Sequence, residues 1–189
     1  ACDDTIDVVY RGRRQIAAGD FRIALPLLFG SERYVLAVDQ EHSTLLLLPF
    51  DGSPGCELGE ASRAVAYWTV DGLRIGMYTD NEDDTTQVRF LDSACKPHLD
   101  PFDGITDTSF ASGSVLVETV DGRLVALDPW RDRTRVVSTA LSRRGPYARD
   151  ALDNVTGVWL LEDDRLLRRD FAGKRIGDAI AGVVAIATV

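Results

Sequence analysis

The chain has little lysine, histidine or cysteine and no long apolar run. Lysine occurs only at Lys96 and Lys174, against 19 arginines. Arginine codons are GC-rich, so this bias marks a GC-rich genome rather than a chemistry. His42 and His98 are the only histidines. They read as surface residues, because a catalytic triad needs nucleophile, base and orienting group in contact, and no Gly-x-Ser-x-Gly elbow marks a nucleophile. No stretch approaches the ~20 apolar residues of a membrane helix. The longest apolar runs, residues 45–48 and 183–187, suit strands. The three cysteines, Cys2, Cys56 and Cys95, include no Cys-x-x-Cys pair. A zinc site or a thioredoxin-type redox site is therefore unsupported. The sequence Asp51-Gly52-Ser53-Pro54-Gly55 lacks the lysine and following helix of a phosphate loop. Helical signal is sparse, and residues 143–152 read as loop or at most one turn.

The 189 residues carry a net charge of -9, with 45% hydrophobic and 27% charged residues. That is enough chain for one domain with a real core. The acidic balance argues against a nucleic-acid partner, since phosphate contact needs a basic surface. The basic clusters Arg11-Gly12-Arg13-Arg14 and Arg143-Arg144 are too short to reverse it.

What is present is a repeat. Pro49-Phe50-Asp51-Gly52, Phe90-Leu91-Asp92-Ser93, Ala126-Leu127-Asp128-Pro129 and Arg168-Arg169-Asp170-Phe171 each follow a strand-like run, with aspartates 41, 36 and 42 residues apart. A fixed period of this size signals a repeat architecture. Each aspartate has a local reason to be there. Its carboxylate can accept a hydrogen bond from the backbone two residues on and close an Asx-turn. A second echo, Thr69-Val70-Asp71-Gly72 and Thr119-Val120-Asp121-Gly122, predicts hairpins. Asp-Gly between strands favours a type I′ turn, with positive φ at both central residues. Each unit thus reads as strand, polar turn, strand, Asp turn, strand. The whole chain, 1–189, reads as a single domain, with N-terminal strands in 1–33 and four β-repeats in 34–189.

Over about residues 34–189 the pattern resembles a β-propeller of the broad class that includes quinoprotein-like and WD-type repeats. The resemblance implies an all-β fold, with four blades or an arc of a larger ring. It lacks the tryptophan-docking residues of quinoprotein blades, the Gly-His and Trp-Asp dipeptides of WD repeats and the double glycine of kelch. It therefore transfers no functional residue. A β-sandwich or barrel is the alternative.

Cys56 and Cys95 occupy similar places in adjacent repeats, and a bridge between them would close a loop of roughly 40 residues. Pairing of Cys2 with either is the alternative. The start Ala1-Cys2-Asp3-Asp4 resembles the end of a bacterial lipobox. This predicts a processed, exported chain in which Cys2 is a lipid anchor, a disulfide partner or a free thiol.

No catalytic, cofactor or metal residue emerges. The run Asp80-Asn81-Glu82-Asp83-Asp84 lacks the glycine of an EF-hand loop and reads as a solvated hairpin tip. Asp100, Asp103 and Asp107 lie in a segment broken by Pro101 and Gly104, which reads as a connection. Trp68 and Trp159 align across repeats, which suggests core packing. The predicted function is a non-catalytic binding or scaffold module for a protein partner or extracellular ligand, with the long connections 97–108 and 142–154 as its interaction mouth. One alternative is a hydrolase using two of Asp100, Asp103, Asp107, Asp150 and Asp153. Another is a structural subunit that completes its sheet with a partner chain, as a homo- or hetero-oligomer.

Overall fold

The computed structural model describes residues 5–9, 13–18, 21–29, 31–39, 44–111, 113–139, 148–149, 157–162 and 165–182. Every regular element among them is a β-strand, as expected for the all-β class. No described helix is long and apolar enough to cross a membrane. The chain divides into two compact units. One comprises Ala1–Asp80 with Val88–Asp100, and the other Asn81–Gln87 with Pro101–Val189. Among the described residues no sheet closes on itself.

The first unit begins with a two-stranded hairpin, β1 (Thr5–Val9) and β2 (Arg13–Ala18). A four-stranded antiparallel meander follows, made of β3 (Phe21–Phe29), β4 (Glu32–Asp39), β5 (Thr44–Pro49) and β6 (Cys56–Gly59). Next come β7 (Arg63–Thr69), β8 (Gly72–Asp80), β9 (Thr86–Leu91) and the start of β10 (Pro97–Ala111). Apolar side chains lie on both faces of β4. Leu36 joins Leu45, Leu47, Leu58, Leu73, Ile75 and Met77 in one cluster, while Val35 and Ala37 form another with Phe21, Leu48 and Phe50 around them. Trp68 packs against the larger cluster, in line with its expected core role. Gly76 shows how closely β8 is approached. A Cβ there would lie 2.8 Å from the Tyr67 ring and 3.1 Å from that of Tyr78.

In the second unit β10 continues from Pro101 and pairs with β11 (Ser114–Thr119), which pairs with β12 (Leu124–Asp128), which pairs with β13 (Arg133–Ser138). Residues 115–117 and 124–127 are buried without alternation, so this sheet too is covered on both faces. A separate sheet runs β14 (Ala148–Arg149), β15 (Val158–Glu162), β16 (Arg165–Arg169) and β17 (Ile180–Ala181). Leu116, Leu124, Ala126 and Val137 pack with Val158 and Leu160 in one core.

All four aspartate turns form. The backbone N–H groups of Ser53, Ala94, Trp130 and Ala172 donate to Oδ1 of Asp51, Asp92, Asp128 and Asp170 at 2.8, 2.8, 3.3 and 2.9 Å. In two of them the same oxygen also accepts from the residue four on, Lys96 at 3.0 Å and Lys174 at 2.8 Å. The two lysines of the chain thus hold equivalent turn positions. Cys56 and Cys95 form a disulfide with Cα atoms 6.1 Å apart, joining the first strand residue of β6 to the Asp92 turn. Cys2 lies outside the described residues.

Three expectations are corrected. The Thr-Val-Asp-Gly hairpins form, but positive φ occurs only at the glycines, +103° at Gly72 and +77° at Gly122. Val and Asp take the central positions and glycine the left-handed residue after them, which leaves Val70 98% and Val120 60% exposed. The segment 97–108 is a strand rather than a connection, because its edge is taken up by β11, with Ile105 opposite Thr119 and Thr108 opposite Val117. Residues 148–149 form the short strand β14 rather than a turn.

Replacing Cys56 and Cys95 together by serine removes a bridge across a sequence separation of 39. The chain-entropy model gives a loss of about 3–4 kcal/mol. Urea unfolding of the variant against the oxidised parent measures it, and reduction of the parent should reproduce the loss.

Candidate functional site

Four polar arrangements stand out among the described residues. Three are closed networks and one is an open surface.

In the first unit, Tyr67 and Tyr78 share a hydroxyl–hydroxyl hydrogen bond. The Arg63 guanidinium stacks 4.4 Å from the centre of the Tyr78 ring. Burial pushes the Tyr67 phenol far above its ordinary value, and Tyr78 adds to the shift. The Tyr67 phenol therefore stays protonated near neutral pH. His98 sits with Nε2 3.2 Å from Asp92 Oδ2. Burial opposes ionisation of Asp92, but Lys96 N–H, the His98 ring and Ala94 N–H together hold it below the usual carboxylate range. His98 therefore braces a turn. Cys95 beside it is oxidised and offers no thiolate. His42 lies outside the described residues, as do residues 142–147 and 150–154 of the second expected connection.

In the second unit, Glu162 is buried and accepts from Ser138 Oγ. It also accepts from Arg169, whose Nε lies 3.0 Å from Oε1 and Nη2 2.9 Å from Oε2. Arg169 Nη1 donates to Gly173 O at 2.9 Å. Burial works against the Glu162 charge, and the bidentate guanidinium with Ser138 outweighs it, so its value falls below the ordinary one. This clamp ties β13, β16 and the Asp170 turn together.

The open surface is a shallow depression lined by Asn81, Glu82, Asp83, Thr85, Asp103 and Gly104. Asp103 Oδ1 accepts from Asn81 Nδ2 at 3.3 Å and Oδ2 from Gln87 Nε2 at 2.8 Å. Asp83 Oδ1 accepts from both the backbone and the hydroxyl of Thr85, at 3.1 and 2.6 Å. These hydrogen bonds hold Asp83 below its ordinary value. The expected hairpin tip is thus present, and Asp83 is occupied in shaping it. Among the described residues no group of histidine, cysteine and carboxylate ligands could hold a metal ion.

Of the five carboxylates that a hydrolase would draw on, Asp103 lines this depression. Asp107 instead lies directly across a strand pair from Glu118, just after a register shift in β10. Asp150 and Asp153 lie outside the described residues, and Asp100 belongs to the first unit. The Asp107–Glu118 opposition had no signal in the sequence, because strand register is invisible there. Burial, and then the Asp107 charge, raise the Glu118 value.

A separate recess lies in the first unit, with a volume of about 220 Å³. Leu25, Leu36, Val38 and Leu45 form one side, Ala61 and Ala64 the other. Leu25 remains 53% exposed at its edge. Sequence reasoning missed it, since its walls combine β3, β4 and β5 with the start of β7, a juxtaposition that no local pattern announces.

No protein-family model matches this sequence, and no curated protein is significantly similar to it.

Two charge changes test these networks. Because Glu118 is raised in the folded state, its ionisation costs stability that is fully felt above that raised value and absent well below the unfolded one. Glu118→Gln should therefore stabilise at neutral pH by about 0.2–1 kcal/mol, the range for like charges on facing strands. The gain should vanish near about pH 3, as thermal melts at the two pH values will show. Glu162 has the opposite sign. Its contribution is present above the unfolded value and lost as pH falls through the depressed folded one. Arg169→Gln should cost about 1.5–3 kcal/mol at neutral pH, and the deficit should shrink in acid.

Proposed function

We propose that this chain is a non-catalytic binding or scaffold module of an exported bacterial protein, built as a propeller-like stack of four-stranded repeats. The carrying observation is that the aspartate turns of all four repeats are closed by the same carboxylate–backbone bond. Each follows a strand of a successive antiparallel meander: β3–β6, β7–β10, β10–β13 and β14–β17. The long β10 serves the second and third in turn. Burial of both faces in β4, β11 and β12 supports the stacking, because a blade between two others is covered twice. The Cys56–Cys95 bridge is compatible with an oxidising compartment. Asp83, Asp92 and the Glu162–Arg169 pair stabilise turns and strand pairs, which favours a rigid frame over a reaction centre.

Light scattering on a non-reduced sample tests the reading together with a panel of chromogenic glycosides and esters. A module of this kind gives the 20.7 kDa of one chain and no turnover. A larger defined mass would instead mean that repeats are completed across chains. Turnover abolished by Asp103→Asn in a folded protein would replace the binding reading with a carboxylate-dependent hydrolase.

A further inference from the structure

We propose that the Cys56–Cys95 disulfide is a redox latch on the Asp92 turn: oxidised, it holds the turn closed, and its reduction by a dithiol lets the turn open while the rest of the fold stands. The inference is independent of the binding-module reading. Two of the four aspartate turns match bond for bond. In one, Asp92 N–H donates to Lys96 O and Cys95 N–H to Asp92 O, both at 3.0 Å. In the other, Asp170 N–H donates to Lys174 O and Gly173 N–H to Asp170 O, both at 2.9 Å. The carboxylates accept from the Ala94 and Lys96 amides in the first and from those of Ala172 and Lys174 in the second. The third residue after each aspartate is left-handed, with φ of +81° at Gly173 and +57° at Cys95. Glycine adopts that conformation freely. A residue with a Cβ does so at a cost equivalent to a shift of about 5–30-fold away from the closed turn. The bridging cysteine thus stands where the same turn elsewhere uses glycine.

The bridge offsets that cost by fixing Cys95 to the core. Its other end, Cys56, pairs across the sheet with Leu47 of β5, a residue of the larger apolar cluster. Cys95 is therefore tied, over a Cα–Cα distance of 6.1 Å, to a strand that is itself held in place. Without the tie, the Asp92 hydrogen bonds alone oppose the left-handed cost. Opening the turn would also withdraw the carboxylate that His98 Nε2 meets at 3.2 Å. Both cysteines are only partly buried, and Ala94 and Lys96 on either side of Cys95 are exposed. A reductant can then reach the sulfurs without unfolding the chain. One thiolate of a dithiol attacks a bridge sulfur and forms a mixed disulfide, the S–S bond breaks, and the other sulfur leaves as a thiolate that takes up a proton. The second dithiol sulfur attacks the mixed disulfide and releases the second cysteine. Two electrons pass to the protein, and the reductant ends as a disulfide.

Amide hydrogen exchange on the full chain, in a Cys2→Ser background that leaves no third thiol to re-pair, tests this residue by residue. Dithiothreitol should open the bridge in native buffer. Exchange at Ala94 and Lys96 should then speed up at least fivefold, while Ala172 and Lys174 of the matching turn stay unchanged. Cys95→Ala removes the bridge but keeps a Cβ, and should exchange like the reduced parent. Cys95→Gly removes both, and should exchange at least fivefold more slowly than Cys95→Ala at the same amides. If Cys95→Ala does not fold, the reduced parent against Cys95→Gly carries the same comparison. A bridge that resists dithiothreitol until urea unfolds the chain, exchange unchanged by reduction, or equal exchange in the glycine and alanine variants would each overturn the proposal. So would loss of protection at Ala172 and Lys174 together with Ala94 and Lys96, because the bridge would then hold the whole fold rather than one turn.

Discussion

A sheet that is apolar on both faces has to be covered twice, and most of this structure follows from that requirement. β4 sends Leu36 to one core and Val35 and Ala37 to another. β11 and β12 are buried through Leu116 and Leu124 on one side and through Val115 and Val125 as well. Sheets of this kind read as near-continuous apolar runs rather than as an alternation with one wet face. Each meander then needs tight turns, because a long loop would separate strands that must pair in register.

The turns are where the sequence was most readable. An Asx-turn is a local object whose carboxylate reaches a backbone N–H two residues away. Asp51, Asp92, Asp128 and Asp170 therefore announced themselves without any knowledge of the fold. The Thr-Val-Asp-Gly hairpins were readable in existence but not in type. The tetrapeptide permits more than one placement of the left-handed residue, and strand pairing decided for glycine alone at positive φ, with Thr69 opposite Gly72. The disulfide was legible as one of several pairings, because equivalent repeat positions suggested it. Only the fold brings the two Cα atoms within bridging distance.

The failures have one cause. Residues 97–108 contain prolines, aspartates and a glycine with φ of +70° at Gly104, all loop-like locally, yet they form a strand. Pairing with β11 and the burial of Ile105 to 1% exposure outweigh the poor propensity, as tertiary context often does for strands. The apolar recess and the Asp107–Glu118 opposition were illegible for the same reason. Both are products of register and of strands distant in sequence.

The charge pattern changes meaning once the turns are placed. An acidic chain invites carboxylate chemistry or cation binding as explanations. Here Asp51, Asp92, Asp128 and Asp170 close repeat turns. Asp83 and Asp121 accept from the threonine hydroxyls of hairpin tips, and Glu162 is clamped by Arg169. Carboxylates are suited to this because one ionised oxygen can accept two or three backbone donors at once, as Asp92 and Asp170 do. Part of the acidity is thus a by-product of a repeat that uses aspartate as its turn-closing residue.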